Sequence, residues 1–431
     1  GLPFILWMDA LRNMPRAKNE VLTGVEIGTS TIKVVMGAVL PEDEIAILGA
    51  AEIPSLRVVK GEVTEAAVVQ EHLERALAAA EQEAGQEIGD VFLAVTGAHI
   101  QTVNSVGSTV INAPDRKISE DDVVRAGRNA HGYTLSPDKK ILHYFDRHYQ
   151  IDRTREVTNP VGLVGTRLEA DVHIVFGQHN RIETNCRLIA DVMSYPAVDV
   201  AFSPVAAGFA VLSAEETEKG ALLIDVGAGV TEYAVFHGPG CVHSGQLAVG
   251  CDQITNDLAL GLRVPMPKAR QILHELGNYG SAVMTPDGRA RLMKVDALGR
   301  GERKIPVSTT EQIIELRLQE LFENIKWDLE SRGALQRAGG GAVLCGGGAR
   351  IPGINRLAQH VLQMPVDTAR PQQLTGRHDQ VASPAFVVPL GLLRWGKMML
   401  DISAPEPMPF WRQFQVDAKK AWGVTRRAFR W

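Results

Sequence analysis

Two short stretches of the chain share a spacing that suits an anion. At 222–236 the apolar run Leu222-Leu-Ile leads into Asp225, then Gly227, Ala228 and Gly229, and a second apolar run follows Thr231. At 23–37 an apolar run holds Glu26, then Gly28 and the hydroxyls of Thr29, Ser30 and Thr31, before another apolar run. Each reads as strand–turn–strand, with glycine where the backbone bends sharply. Bare backbone N–H groups at such a turn form an anion cradle, and a phosphate chain suits it. An ordinary hairpin accounts for either stretch alone. Two acid-x-Gly hairpins about 200 residues apart point to two similar halves facing one ligand. A third cluster, Gly346, Gly347 and Gly348, ends the apolar run 341–345. At such a corner a flat ring or a sugar can lie against bare backbone.

The remaining pattern must hold these three corners together. Strands are expected over 45–53 and 91–96, and an amphipathic helix over 64–83, capped by Thr64. This order suits a mixed α/β sheet. Residues 99–178 read as a small inserted α+β module, with strands over 107–111, 142–151 and 170–176. Its helix over 119–132 opens with Ser119 and three acids, which suits an N-terminus. His143, His148 and His173 are assigned to separate strands, as surface or core residues and not ligands. Helices follow over 180–194 and 203–213, with Pro204 in a first turn. Gly250 ends a strand before a helix that starts near Asp252. A long helix runs over 310–332, and another starts near Ile354.

At 431 residues the chain suggests two or more domains. It is 45% hydrophobic and 22% charged, as a folded protein is, and no run of 18 apolar residues occurs. Four scattered cysteines suggest a reducing compartment and no metal site. The apolar start at 2–8 is a poor secretory signal, and 1–20 reads as an extension. Net charge is −5, yet 408–431 holds six cations against Asp417, which leaves −10 for the rest. An acidic body argues against broad nucleic-acid binding, and the basic tail points to one local contact. After a proline-rich linker at 401–409, residues 410–431 set Phe410, Trp411, Phe414, Trp422, Phe429 and Trp431 among Lys419, Lys420, Arg426, Arg427 and Arg430. That mixture suits an amphipathic helix on anionic lipid; docking on the protein's own body or on a partner is the alternative.

The two hairpins and the late glycine corner resemble the phosphate-1, phosphate-2 and adenosine motifs of the actin/Hsp70/sugar-kinase superfamily. Within it, the chain resembles the FtsA family of bacterial cell-division actin homologues, from Thr23 to Lys397. Glu26-Ile-Gly-Thr29, the insert with Asn159-Pro-Val-Gly-Leu163, Ser383-Pro-Ala-Phe with Gly391-Leu-Leu, and the amphipathic end are its specific points. The resemblance implies an α/β, actin-like (ribonuclease H-like) two-domain fold with an inserted 1C subdomain. It divides the chain into 1–20 (N-terminal extension), 21–98 with 179–205 (1A), 99–178 (1C), 206–251 with 336–400 (2A) and 252–335 (2B), ahead of the linker 401–409 and the helix 410–431. It implies ATP held by Gly28, Thr29 and Ser30 from one side and by Asp225, Gly227, Ala228, Gly229 and Thr231 from the other. Gly250 would lie near the sugar and Gly346, Gly347 and Gly348 against adenosine, with Mg²⁺ near Glu26 and Asp225. Arg270 and His274 are candidate adenine contacts. It further implies a filament on the cytoplasmic face of the cell membrane at the septum, binding of the FtsZ C-terminal peptide near 252–335, and other division proteins at 1C.

The second hairpin departs from the family pattern at Ala228, Val230 and Glu232, and Ser203 stands where related proteins carry a carboxylate. No base for hydrolysis is identified, so slow or absent turnover is expected. A PilM-like assembly component and a small-molecule kinase of the superfamily are the alternative readings.

Overall fold

The computed structural model describes residues 21–40, 44–238, 240–279, 292–297, 301–371, 375–376 and 380–403. Residues 1–20 and the expected amphipathic helix at 410–431 lie outside them, as does all of the linker beyond Ser403.

The chain builds the same five-strand plan twice, and the first sheet adds a sixth, short strand, Thr375–Gly376, paired parallel with residues 46–47 at its edge. In the first, β1 (Val21–Ile27) pairs antiparallel with β2 (Thr31–Val39), which pairs antiparallel with β3 (Ile45–Pro54). On its other side β1 pairs parallel with β6 (Asp90–Val95), and β6 with β11 (Asp199–Phe202). In the second, β12 (Ala221–Val226), β13 (Thr231–His237) and β14 (Gly240–Leu247) form the same antiparallel meander. Here β12 pairs parallel with β17 (Ala342–Cys345), and β17 with β18 (Val366–Thr368). Strands buried on both faces read as continuous apolar runs, and β6 and β12 are buried throughout. This repeated topology is the actin-like, ribonuclease H-like plan.

Helix α1 (Ala66–Ala84) covers the first sheet with Val69, Leu73, Ala76, Leu77 and Ala80 at helical spacing. Thr64 does not cap it, contrary to expectation. Its hydroxyl and N–H both donate to Arg57 O, at 2.9 and 2.8 Å, closing the small hairpin β4 (Val58–Val59) and β5 (Glu62–Val63). Glu65 takes the cap position with no side-chain bond to the first helical N–H groups, its carboxylate pairing with Arg57 at 3.1 Å instead.

The insert is a four-stranded sheet of β7 (Gln101–Val110), β10 (Arg167–Gln178), β8 (Lys139–Ile151) and β9 (Arg155–Val157). Helix α2 (Glu120–His131) packs on it, and Ser119 and Asp122 form a reciprocal capping box. His143 and His148 share strand β8 and are not on separate strands; only His173 lies on β10. His143 Nε2 accepts from Phe202 N at 2.9 Å, and His173 bonds Asn104 Oδ1 at 2.8 Å and Ser244 Oγ at 2.9 Å. Burial holds His143 at about 3 and places His173 well below the ordinary range, so both rings are neutral core groups.

After α3 (His179–Met193), helix α4 (Ser203–Val211), buried almost all round, lies between the two sheets. The chain continues through α5 (Ala214–Lys219), and α6 (Cys251–Leu262) and α7 (Met266–Tyr279) follow the second meander. Next come the hairpin of β15 (Leu292–Ala297) and β16 (Gly301–Pro306), the long α8 (Val307–Ser331), and α9 (Ile354–Leu362). The last helix, α10 (Val387–Ser403), packs on α4 and on β1, β2 and β6. The sequence reading placed 336–400 with the second half; this helix is seated on the first. Close approach explains it: a β-carbon on Gly24 of β1 would lie 2.2 Å from Pro389 O, and one on Gly396 2.5 Å from the Phe92 ring of β6. Trp395 Nε1 also donates to Asp199 Oδ2 of β11 at 2.8 Å.

Candidate functional site

Both acid-x-Gly turns close in the same way. Gly28 N donates to Thr31 O and Gly227 N to Val230 O, each at 3.0 Å. The registers match too: Glu26 lies across from Lys33, and Asp225 across from Glu232. Residues paired across two strands share a face. Each hairpin therefore turns its acid and the residue seven further on toward the same space.

That space is a cavity of about 330 Å³. The first hairpin lines it with Glu26, Gly28, Thr29, Ser30 and Lys33, and the second with Asp225, Gly227, Ala228, Gly229 and Glu232. Gly346, Gly347 and Gly348 form a third wall, and Arg270 and His274 reach it from α7. Thr231 and Gly250 are absent from the lining. Thr231 faces away from the cavity, because its register partner is Val226, and its hydroxyl donates to Val249 O at 2.8 Å. Gly250 caps α6, with Gly227 O and Ala228 O within 2.6 Å of where a β-carbon would stand.

Among the lining groups that the sequence pattern does not mark as ligands, three are polar and close to the acids or to each other. Lys33 Nζ sits 3.1 Å from Glu26 Oε2, and both side chains are largely buried. Burial opposes the ammonium charge, but Glu26, Asp225 and Glu52 outweigh it and raise the Lys33 pKa. Glu232 reaches across the floor of the cavity to the first half. Its carboxyl accepts from Thr96 Oγ1 at 2.8 Å and from Gly97 N at 2.7 Å. Burial pushes its pKa up to about 8, with Asp225 and Glu26 adding to the shift. Thr96 itself is the third. For Lys33 and Glu232 the register carried the signal, since each acid selects the residue seven positions on, whereas Thr96, just after β6, has no such mark.

Asp225 is buried, and burial followed by the nearby Glu26 raises its pKa. Two carboxyls facing one cavity repel, and a divalent cation between them would relieve that repulsion. Lys33 already offsets part of that repulsion from beside Glu26, and no cluster of three or more such ligands occurs among the described residues, so a hard cation here would be held largely through water. The turns approach closely: a β-carbon on Gly229 would lie 2.7 Å from Thr29 Oγ1 and 3.0 Å from the Lys60 backbone. Ser203 is buried and donates to Val95 O at 3.3 Å, so its hydroxyl is already engaged.

Residues 222–391 match the model of the family described as cell division protein FtsA. Residues 97–176, the segment of the four-stranded insert, match the SHS2 domain inserted in FtsA. A curated relative, the cell division protein FtsA of Neisseria meningitidis, is 31% identical over 393 residues, 90% of this chain and 93% of its own. Its counterpart in Pseudomonas aeruginosa is 30% identical, over 88% of this chain and 89% of its own. Among solved structures, the PilM–PilN type IV pilus biogenesis complex aligns with a TM-score of 0.61 at 17% identity, over 89% of this chain and 99% of that one. MreB5 of Spiroplasma citri aligns with a TM-score of 0.53 at 14% identity, over 90% of this chain and all of that one. At these identities the two structures speak to the fold, which is actin-like. With two identically wound halves, an SHS2 insert and these relatives along nearly its whole length, the chain belongs to the FtsA family of cell-division proteins.

Proposed function

We propose that this protein binds ATP in the cavity between its two hairpins and polymerises on the cytoplasmic face of the cell membrane at the division septum. There it tethers filaments of FtsZ through the C-terminal peptide of FtsZ and recruits later division proteins through the insert. The supporting observation is the convergence of both acid-x-Gly turns and the three-glycine corner on one cavity. MreB5 of Spiroplasma citri has been solved bound to ADP and to AMPPNP, and MamK as a double helical filament. In this reading the turns at Gly28–Ser30 and Gly227–Gly229 hold the phosphates, and Gly346–Gly348 bed the adenosine. Mg²⁺ would neutralise the phosphates and sit near Glu26 and Asp225, mostly through water. Among the described residues, no helix is long and apolar enough to cross a membrane. Attachment is assigned to the basic aromatic segment 410–431.

The cavity suits holding a nucleotide more than hydrolysing one. Glu232 is committed to Thr96 and Gly97, and Ser203 to Val95 O. Phosphoryl transfer to water needs a group free to orient that water. The domain division into 1A, 1C, 2A and 2B belongs to the same proposal, with α10 joined to 1A.

The test is co-sedimentation of the full chain with anionic vesicles and FtsZ, with and without ATP. Deleting 408–431 is expected to release the protein and its FtsZ from the vesicles. Retention of vesicle binding by the deletion variant refutes the tether, and absence of ATP binding by calorimetry refutes the nucleotide site.

A further inference from the structure

Helix α8 buries one face and leaves a second apolar feature in water. Ile314, Leu318, Leu321, Phe322, Ile325 and Leu329 are buried. On the opposite side Leu316 is 60% exposed and Trp327 71% exposed, about three turns apart on one line. Glu320 and Glu323 lie between them, and Glu330 follows one turn later, all exposed. The cations of this helix and its C-cap are engaged: Arg317 with Asp257 at 2.6 Å and Glu320 at 2.5 Å, Lys326 with Val361 O at 3.0 Å, and the capping Arg332 with Asp328 at 3.9 Å. A tryptophan standing in water on an acidic helix face has the character of an interface anchor.

One segment of this chain complements that face in both respects. Residues 408–431 set six cations against one acid, with aromatic residues interleaved. They begin five residues beyond Ser403, where the last described helix ends. We propose that, away from a membrane, the basic aromatic segment 408–431 docks on the Leu316–Trp327 face of α8. This rests on the reading of 408–431 as the membrane-binding segment. Lipid and α8 then compete for the same aromatic and cationic side chains, and membrane arrival uncovers α8.

The test uses the full chain with a photo-crosslinking benzoylphenylalanine in place of Trp327. Irradiation without vesicles is expected to capture a peptide from 408–431, and phosphatidylglycerol vesicles to abolish the capture. Separately, Leu316→Ser, which leaves the net charge unchanged, is expected to tighten vesicle binding roughly threefold to tenfold, by weakening the competing contact. Capture of some other peptide, or of none, together with unchanged vesicle affinity, overturns the docking. If deletion of 408–431 still abolishes vesicle binding, the tether stands while the docking fails. If that deletion leaves vesicle binding intact, the tether itself fails, and the docking with it.

Discussion

Adjacent glycines at the third corner separate folding from binding. Gly346 has φ of +80°, and a β-carbon there would lie 2.2 Å from Asp225 Oδ1 and 2.7 Å from Val226 O. The left-handed backbone costs an L-residue about 1–2 kcal/mol, and forcing a methyl against a packed neighbour adds about 1–3 kcal/mol. Gly346→Ala should therefore cost about 2–5 kcal/mol and lower the thermal midpoint by roughly 5–15 °C. Gly347 is different. Only Arg350 Nη2 comes within 4 Å of a β-carbon built there, at 3.9 Å, and its φ lies outside the left-handed region. Gly347→Ala should leave the thermal midpoint within a degree or two, because the methyl meets open space. If adenosine rests on this backbone, the methyl occupies its bed. A tenfold to hundredfold loss of ATP affinity is expected, about 1.4–2.8 kcal/mol. Thermal unfolding and calorimetric ATP titration of both variants read the two effects. An alanine at 347 that binds ATP as well as the native chain removes this corner from the nucleotide site. An alanine at 346 that melts normally refutes the steric reasoning.

Lys33→Met leaves Glu26 buried without its partner and should cost about 3–5 kcal/mol, read as a lower urea midpoint. Glu232 holds its proton up to about 8, above the ordinary 4.5, so between these values the folded chain binds more protons than the unfolded one. Stability from this group is full below 4.5 and is lost as pH rises through 8. Glu232→Gln should flatten that decline in a thermal-midpoint series against pH. His173→Ala strands Asn104 and Ser244 and should cost about 1–3 kcal/mol, with faster hydrogen exchange in 139–178. Arg337→Ala removes a half-exposed pair with Glu156 and should cost under about 1 kcal/mol in the same melts.

The strands, the turns and the insert were legible because they rest on local rules. Glycine marks the corners, apolar runs mark strands buried on both faces, and Ser119 with three acids marks a cap. What failed depended on partners. Thr231 is a phosphate ligand only as the family resemblance implies, by its position after the second turn. A one-residue step along a strand reverses the face, and only the pairing with Val226 shows which way Thr231 points. The places of Lys33 and Glu232 beside the acids are hidden for the same reason, since that closeness is set across the hairpin. Thr64 was read as a cap because the hairpin that claims its hydroxyl has strands of two residues, too short to leave a periodic trace. The seat of α10 on the first sheet links residues more than 300 positions apart.

That seat has a mechanical consequence. Pulling on Ser403 loads α10 first, and α10 is keyed into β1, β6 and α4 by glycine contacts and by the Trp395–Asp199 bond. Tension entering at the C-terminus thus runs into the first sheet and spreads across its strands. Helix α4 carries part of that load onward, because it also packs on β12 and β13, and the Thr96–Glu232 and His173–Ser244 bonds tie the halves together. A pull from this end is therefore shared by both walls of the cavity.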